Sequence, residues 1–348
     1  PPTEIYTGDT SSAASDVYKR QPMNILVIGG TSFFGKSIVS HLLGAGHDVT
    51  VFSRGNNRPA WWDRVDHVIG DRGEDLAALT GRRFDAVIDN IAFTAAEVAA
   101  ALDVLGPGAG RYIFTSTGAM YFTTASYPPY DEDDADFGFT PPPEDADSPA
   151  WVYTMGKLEA EREIMQRSDL AWTIIRPPIV VGPDDGTRRA WFYFQRLLDG
   201  KPLLLPDGGH QTFTHVYSED LARGYLLALE SDRADHRVYN MAQAEIVTLR
   251  DFITSAAAGL GIEPDLVPVP ASALAGDDWT YPDPYSRTNR FVLSNRRAEA
   301  DLQYTTSPFD EWTAVTARWY RDEYKGPDSA GYDERDREVE IAGRFRRD

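Results

Sequence analysis

Tyr153 and Lys157 stand four residues apart in Tyr153-Thr154-Met155-Gly156-Lys157. On a helix that spacing places a phenol and an ammonium on one face. An ammonium beside a phenol favours the phenolate and lowers its pKa, which makes proton transfer near neutral pH feasible. Thr115-Ser116-Thr117 follows the apolar run Arg111–Phe114. Strand ends on the carboxyl side of a parallel sheet are where ligands bind. A hydroxyl there can hold a substrate oxygen between itself and Tyr153.

Gly29-Gly30-Thr31-Ser32-Phe33-Phe34-Gly35 has the composition of a turn that cradles a pyrophosphate. Gly29 permits the tight turn. The backbone N–H groups of Ser32, Phe33 and Phe34 would lie at the positive N-terminus of a helix, and Gly35 lets helix and strand approach closely. The run Val51-Phe52-Ser53-Arg54 ends with no Asp or Glu to accept from ribose hydroxyls. Ser53 and Arg54 offer a hydroxyl and a cation, which suit a 2′-phosphate; Arg54 is equally at home as a solvated turn residue. Asp71 can accept from an adenine amino group or simply form the Gly70-Asp71 turn.

These residues need a scaffold that brings strand ends together. Asn24–Ile28, Asp48–Phe52, His67–Ile69, Ala86–Ile88, Arg111–Thr115 and Trp172–Ile175 read as strands. Lys36–Leu43, Ala95–Leu105 and Met155–Gln166 read as helices between them. Strands alternating with helices predict an α/β fold, a doubly wound parallel sheet covered on both faces. Tyr121–Pro149 is rich in Pro and Asp and too long for an ordinary connection, so it is expected to form a lid or binding loop. Residues 1–22 lack periodicity and resemble translated adapter sequence, a non-native or disordered leader ahead of a start at Met23. From about Gly326 the chain is charged and polar, the pattern of a tail that is helical or partly disordered.

The composition removes several alternatives. The 348 residues carry a net charge of −20, a field that repels phosphate backbones and disfavours a nucleic-acid partner. There are no cysteines, so disulfides, thiolate metal sites and a cysteine nucleophile are absent. The six histidines show no metal-binding spacing, and His215 reads as a residue that packs or bonds locally. No run of 18 apolar residues exists, so no membrane-spanning helix is expected. A cytoplasmic location is the default expectation.

GGTSFFG after the first strand, FDAVIDNIA, YIFTSTGAMY, YTMGK, IIRPPIVVGP and HVYSEDLARGYLLAL occur in this order between about Met23 and Tyr320. In that set and spacing the chain resembles the short-chain dehydrogenase/reductase superfamily, in its extended or atypical branch of NAD-dependent epimerases and dehydratases. The resemblance implies a Rossmann-type domain over 23–181, with 216–247 returning to it. It implies a smaller C-terminal substrate-binding domain over 182–215 and 248–325, with 326–348 as the charged tail. It further implies Tyr153 as acid/base and Lys157 as the residue that binds the nicotinamide ribose. Thr117 is implied as the catalytic hydroxyl, because the family's Ser/Thr lies four residues before the tyrosine matched by Tyr121; Ser116 is the runner-up. The implied cofactor contacts are Gly29, Thr31, Ser32, Phe33, Phe34, Gly35, Ser53, Arg54, Asp71, Asn90, Ile91, Thr115, Ser116, Tyr153, Lys157 and Pro177, with no metal.

The expected activity is that of an NAD(P)-dependent oxidoreductase or epimerase on a sugar-like or polyol carbinol, with NADP favoured over NAD. The alternative is a non-catalytic relative that senses dinucleotides or binds RNA. The expected partner is a small sugar-like molecule, with no nucleic acid or membrane and with a homodimer as the assembly open to it. Three departures from the family pattern narrow the substrate. Ser32 replaces the middle glycine. Ile179 stands where nucleotide-sugar enzymes usually carry Asn, and Gln211 where they usually carry a diphosphate-gripping Arg. Gly118-Ala119 follow Thr117 where the sugar 4,6-dehydratases carry Asp-Glu, which disfavours dehydration by that route. The substrate is therefore expected to lack a nucleoside diphosphate.

Overall fold

Asn24–Ile28 (β1) is buried over its last four residues, and its side chains alternate between two separate cores. Ile25 and Val27 face one core, Leu26 and Ile28 the other, as a strand covered on both faces requires. This computed structural model describes residues 21–346 except 143, 277–278 and 286–290. The proposed leader 1–22 therefore lies outside the described residues but for Gln21 and Pro22.

After β1 come α1 (Phe33–Gly44), β2 (Asp48–Ser53), β3 (Asp66–Ile69), β4 (Phe84–Asp89), α2 (Ala95–Leu105), β5 (Ala109–Thr115), α3 (Pro149–Met165) and β6 (Ala171–Arg176). Next are β7 (Ile179–Val181), α4 (Arg189–Leu198), β8 (Leu203–Pro206), β9 (Thr212–Phe213), β10 (His215–Tyr217), α5 (Ser218–Glu230) and β11 (Arg237–Asn240). The chain then runs through β12 (Val247–Thr248), α6 (Leu249–Leu260), β13 (Leu266–Val269), α7 (Arg296–Leu302), α8 (Phe309–Asp322) and α9 (Arg335–Phe345).

Seven strands form one parallel sheet in the order β11-β6-β5-β4-β1-β2-β3. The sheet is doubly wound. Ile38, Val39 and Leu42 of α1 and Leu221 and Tyr225 of α5 cover one face. Val98, Ala101 and Leu102 of α2 and Ala160 and Ile164 of α3 cover the other. The chain reverses direction across the sheet between β1 and β4, so a crevice opens at their carboxyl ends, the switch point where such folds take ligands.

α3 begins at Pro149, six residues before the start the sequence predicts. Ser148 caps it by accepting from the Trp151 N–H at 3.4 Å, and proline occupies the first turn, where its missing N–H costs nothing. Tyr153 therefore stands inside the helix rather than ahead of it.

The Tyr121–Pro149 segment is fastened at its near end. Tyr130 exchanges backbone hydrogen bonds with Val292 and Ser294, and Arg176 donates to the Glu132 carbonyl at 2.8 Å. A second core, built from α4, α6, α8, α9, β8 and β13, lies beyond β7. The charged C-terminal segment is part of it. α9 is docked, with Ile341 and Ala342 buried and Glu338 gripped by the buried Arg196 at 2.5 and 2.9 Å.

Candidate active site

The glycine turn connects β1 to α1 and occupies the switch-point crevice. Gly29 has φ +86°, and a Cβ there would lie 2.4 Å from the Ile91 side chain at the end of β4. A Cβ on Gly35 would lie 2.6 Å from the Gly29 carbonyl oxygen. Only glycine fits either position. Phe33 opens α1 at φ +45°, a strained conformation for a non-glycine residue. Ser32 is the N-cap but makes no capping hydrogen bond; its hydroxyl accepts from the Asn57 amide at 2.7 Å. The helix therefore presents its first amides uncapped, as an anion site needs.

A cleft of about 710 Å³ runs in front of this turn. Thr31, Ser32, Phe33 and Lys36 form one wall, Asn57 and Arg58 a second, and Asp184 to Thr187 a third. Lys36 and Asp184 form an ion pair across it. Asn57, Arg58, Lys36 and the 184–187 segment were not singled out in the sequence. The Asn56-Asn57-Arg58 turn directly after β2 was the available signal. Ser53 is buried and its hydroxyl accepts from the Gly55 N–H at 3.3 Å, while Arg54 is exposed and does not line the cleft. Asp71 is exposed and uses its carboxylate to accept from the Gly73 N–H at 2.8 Å, as a turn former does.

At the end of β4, Asp89 is fully buried between Arg72, at 2.8 Å, and the Tyr112 hydroxyl, at 2.5 Å. It also accepts from the Ile91 and Ala92 N–H groups, which fixes the backbone beside Gly29. Thr115 donates to the Asn90 amide oxygen at 2.7 Å and meets the Tyr225 hydroxyl at 2.6 Å. The Asn90 Nδ2 and the Ser116 Oγ are buried with no hydrogen-bond partner among the described residues. Buried polar atoms are nearly always paired, so two orphans at the sheet's carboxyl edge mark a place made for a polar ligand. Pro177 is buried and accepts from the Gly118 N–H at 2.7 Å.

Lys157 is buried, and its ammonium donates to the Thr115 carbonyl at 2.6 Å and the Ala92 carbonyl at 2.7 Å. Burial pulls its pKa down to about 8, against the pull of Asp89 and Glu161. Phe93 and Phe114 flank the ammonium, each ring centroid 4.8 Å away. Tyr153 is 37% exposed and packs against Phe93 at 5.9 Å. The Thr117 hydroxyl hydrogen-bonds the phenol and also accepts from the Ala119 N–H at 3.1 Å.

One expectation is corrected. The Tyr153 pKa lies above the usual tyrosine value, not below it. Desolvation raises it, and the opposing pull comes from Thr117 and Arg189 rather than from Lys157, whose charge is spent on two carbonyls. Arg189 is a further residue the sequence did not single out.

His215 is fully buried among Phe213, Phe252, Tyr285 and Trp312. Burial takes its pKa to about 3, so it is neutral. Gln211, at the position expected for a cation, is buried and donates to the Pro206 carbonyl at 3.2 Å. Among the described residues no helix is long and apolar enough to cross a membrane, and no group of three or more His, Asp or Glu could hold a metal ion.

Comparison with known proteins places this geometry. Chloroplast stem-loop binding protein of 41 kDa b from Arabidopsis thaliana is 29% identical over 260 residues, which is 70% of this chain. The match spans 65% of that protein's own length. Two solved structures share the fold. An epimerase from Methanothermobacter thermautotrophicus has a TM-score of 0.69 at 19% identity over 86% of this chain and 93% of its own. A UDP-glucuronic acid 4-epimerase from Bacillus cereus, solved with NAD, has a TM-score of 0.67 at 20% identity over 88% of this chain and 99% of its own. The model of the NAD dependent epimerase/dehydratase family matches residues 25–242, more than half of the chain, and the protein belongs to that family.

Proposed function

We propose that this protein is an NAD(P)-dependent oxidoreductase or epimerase acting on a sugar-like or polyol carbinol. The observation that carries the reading is the pairing of the Thr117 hydroxyl with the part-exposed Tyr153 phenol beside the crevice where the glycine turn opens. The dinucleotide would be held by the Gly29–Gly35 turn, by Asn57 and Arg58 for the adenosine end, and by Asn90, Ser116 and Lys157 toward the nicotinamide. A 2′-phosphate suits this set, because the cleft wall carries Arg58 and no acid follows β2.

When bound, the nicotinamide supplies or accepts a hydride at the carbinol carbon. The chain's own residues handle the proton. Thr117 holds the substrate oxygen, and Tyr153 gives its phenolic proton to that oxygen in reduction or takes it in oxidation. A pKa above the usual tyrosine value keeps Tyr153 protonated at neutral pH in the free protein, ready as an acid. Lys157 ties α3 to β5 and so fixes Tyr153 against Thr117. Phe93 covers one side of the pair from water.

Ile179 and the buried Gln211 offer no charge for a diphosphate, which supports a substrate without a nucleoside diphosphate. The test is titration of the purified protein with NADP(H) and NAD(H), followed by turnover assays on free sugars, polyols and UDP-, dTDP- and GDP-sugars. Binding of neither dinucleotide overturns the reading.

A second reading rests on the stem-loop binding relative: a role in RNA binding. The net charge of −20 opposes it. A gel shift with structured RNA that weakens with added salt would favour this reading over the enzyme.

A further inference from the structure

We infer that Arg189 anchors a carboxylate of the substrate beside the Tyr153 hydroxyl, so that the site takes a sugar acid or other hydroxy acid in preference to a neutral polyol. The inference rests on the proposed enzymatic reading and names its substrate class.

Arg189 is the first residue of α4 and is exposed. The buried arginines of this chain are all committed: Arg72 to Asp89, Arg176 to Glu161, Arg196 to Glu338, and Arg335 to Asp199. Arg189 makes no hydrogen bond and no ion pair among the described residues. Its charge is nevertheless felt by groups from separate segments: Tyr153 on α3, Asp185 on the loop after β7, and His215 on β10. These groups surround the reacting end of the site, and none of them is a counter-ion for the guanidinium.

Asp185 is the only acid of that set. It is buried, and both carboxylate oxygens are used by Thr187, one accepting from its N–H and the other from its hydroxyl, each at 2.8 Å. His215 is neutral in its aromatic surroundings and brings no charge. Tyr153 is a neutral phenol at physiological pH. The result is an uncompensated cation next to the proton donor, in a chain whose net charge is −20.

The surroundings favour pairing with an anion. Phe93, 47% exposed, stands against Tyr153, and Phe291 packs over Gly118 next to Thr117, where a Cβ would meet its ring at 2.9 Å. Apolar walls strengthen a charge-assisted hydrogen bond by excluding water. A planar guanidinium matches a carboxylate with two parallel N–H donors, a geometry an ammonium lacks. A carboxylate held there would orient the adjacent carbinol toward Tyr153 and Thr117. The same chemistry would also suit a phosphate of the dinucleotide, and the experiment separates the two.

The test uses the full chain saturated with NADP and isothermal calorimetry with matched probes. D-glucuronate is compared with D-glucose, and 4-(hydroxymethyl)benzoate with benzyl alcohol. In the wild type at least one carboxylate should bind about ten- to a hundredfold tighter than its neutral partner, the worth of a charge-assisted pair. Arg189→Gln should abolish that preference and Arg189→Lys restore part of it. Neither should move the thermal midpoint, because the side chain is exposed, nor change NADP affinity more than about twofold.

Equal binding of acid and neutral probes by the wild type, or no binding of either acid, overturns the inference and leaves the proposed function standing. A preference that survives in Arg189→Gln overturns it as well. A tenfold or larger loss of NADP affinity in Arg189→Gln assigns the arginine to the dinucleotide and overturns it too. A wild type that binds no dinucleotide overturns the proposed function itself, and this inference with it.

Discussion

Lys157 donates to the Thr115 carbonyl oxygen at 2.6 Å, so a buried ammonium on α3 is tied to the last residue of β5. Its pKa, about 8 in the folded chain against 10.5 in the unfolded, makes that ammonium a liability below pH 8. As pH rises the native state releases its proton first. The penalty is therefore full below about pH 8 and is gone above 10.5. Urea unfolding of the wild type and of Lys157→Met across pH 7–10.5 reads this directly. The wild type should gain of order 3 kcal/mol relative to the variant over that range. A constant difference would show that the ammonium is not desolvated.

Removing the phenol should stop chemistry while keeping the fold. Tyr153→Phe loses the proton donor but keeps its packing on Phe93. Turnover should fall by about 10²–10⁴-fold with dinucleotide affinity retained. Near-normal turnover in this variant would transfer the proton to another group.

The choice between NADP and NAD should follow Arg58 more than Arg54, because Arg58 lines the cleft and Arg54 does not. Arg58→Ala should weaken NADP binding about ten- to a hundredfold with little effect on NAD. Arg54→Ala should change either affinity by less than about threefold. Fluorescence titration of the four combinations decides it, and a larger loss in Arg54→Ala would reverse the assignment.

Gly35→Ala places a methyl group 2.6 Å from the Gly29 carbonyl oxygen, a backbone atom with no free path away. The turn must open, so dinucleotide binding should be lost and stability should drop by roughly 1–3 kcal/mol. Ala substitution at the exposed Gly44, which meets nothing within 4 Å, serves as the control and should bind normally.

Glu338 compensates two buried arginines, Arg196 at 2.5 Å and Arg335 at 2.7 Å. Glu338→Ala leaves Arg196 buried without its carboxylate and should destabilise by about 3–5 kcal/mol in thermal or urea unfolding. An effect below about 1 kcal/mol would show that α9 contributes little to the second core.

The sequence alone determined the sheet and the turn. The run at Asn24–Ile28 is apolar on both faces, and Gly29 and Gly35 occupy places where any Cβ would collide, so local patterning and steric exclusion sufficed. Tyr153, Lys157 and Thr117 were legible because helix periodicity and strand ends fix which side chains can share a face. Tertiary structure decided everything that depends on groups far apart in sequence. The i, i+4 spacing put Lys157 on the same face as Tyr153, yet the carbonyls of Ala92 and Thr115, 65 and 42 residues away, took the ammonium. Arg189 became the cation beside the phenol because Asp185 was already satisfied by Thr187. The tail read as charged and polar is docked because Arg196, on a helix 142 residues earlier, reaches Glu338. Charge compensation and desolvation act through space, and spacing along the chain does not encode them.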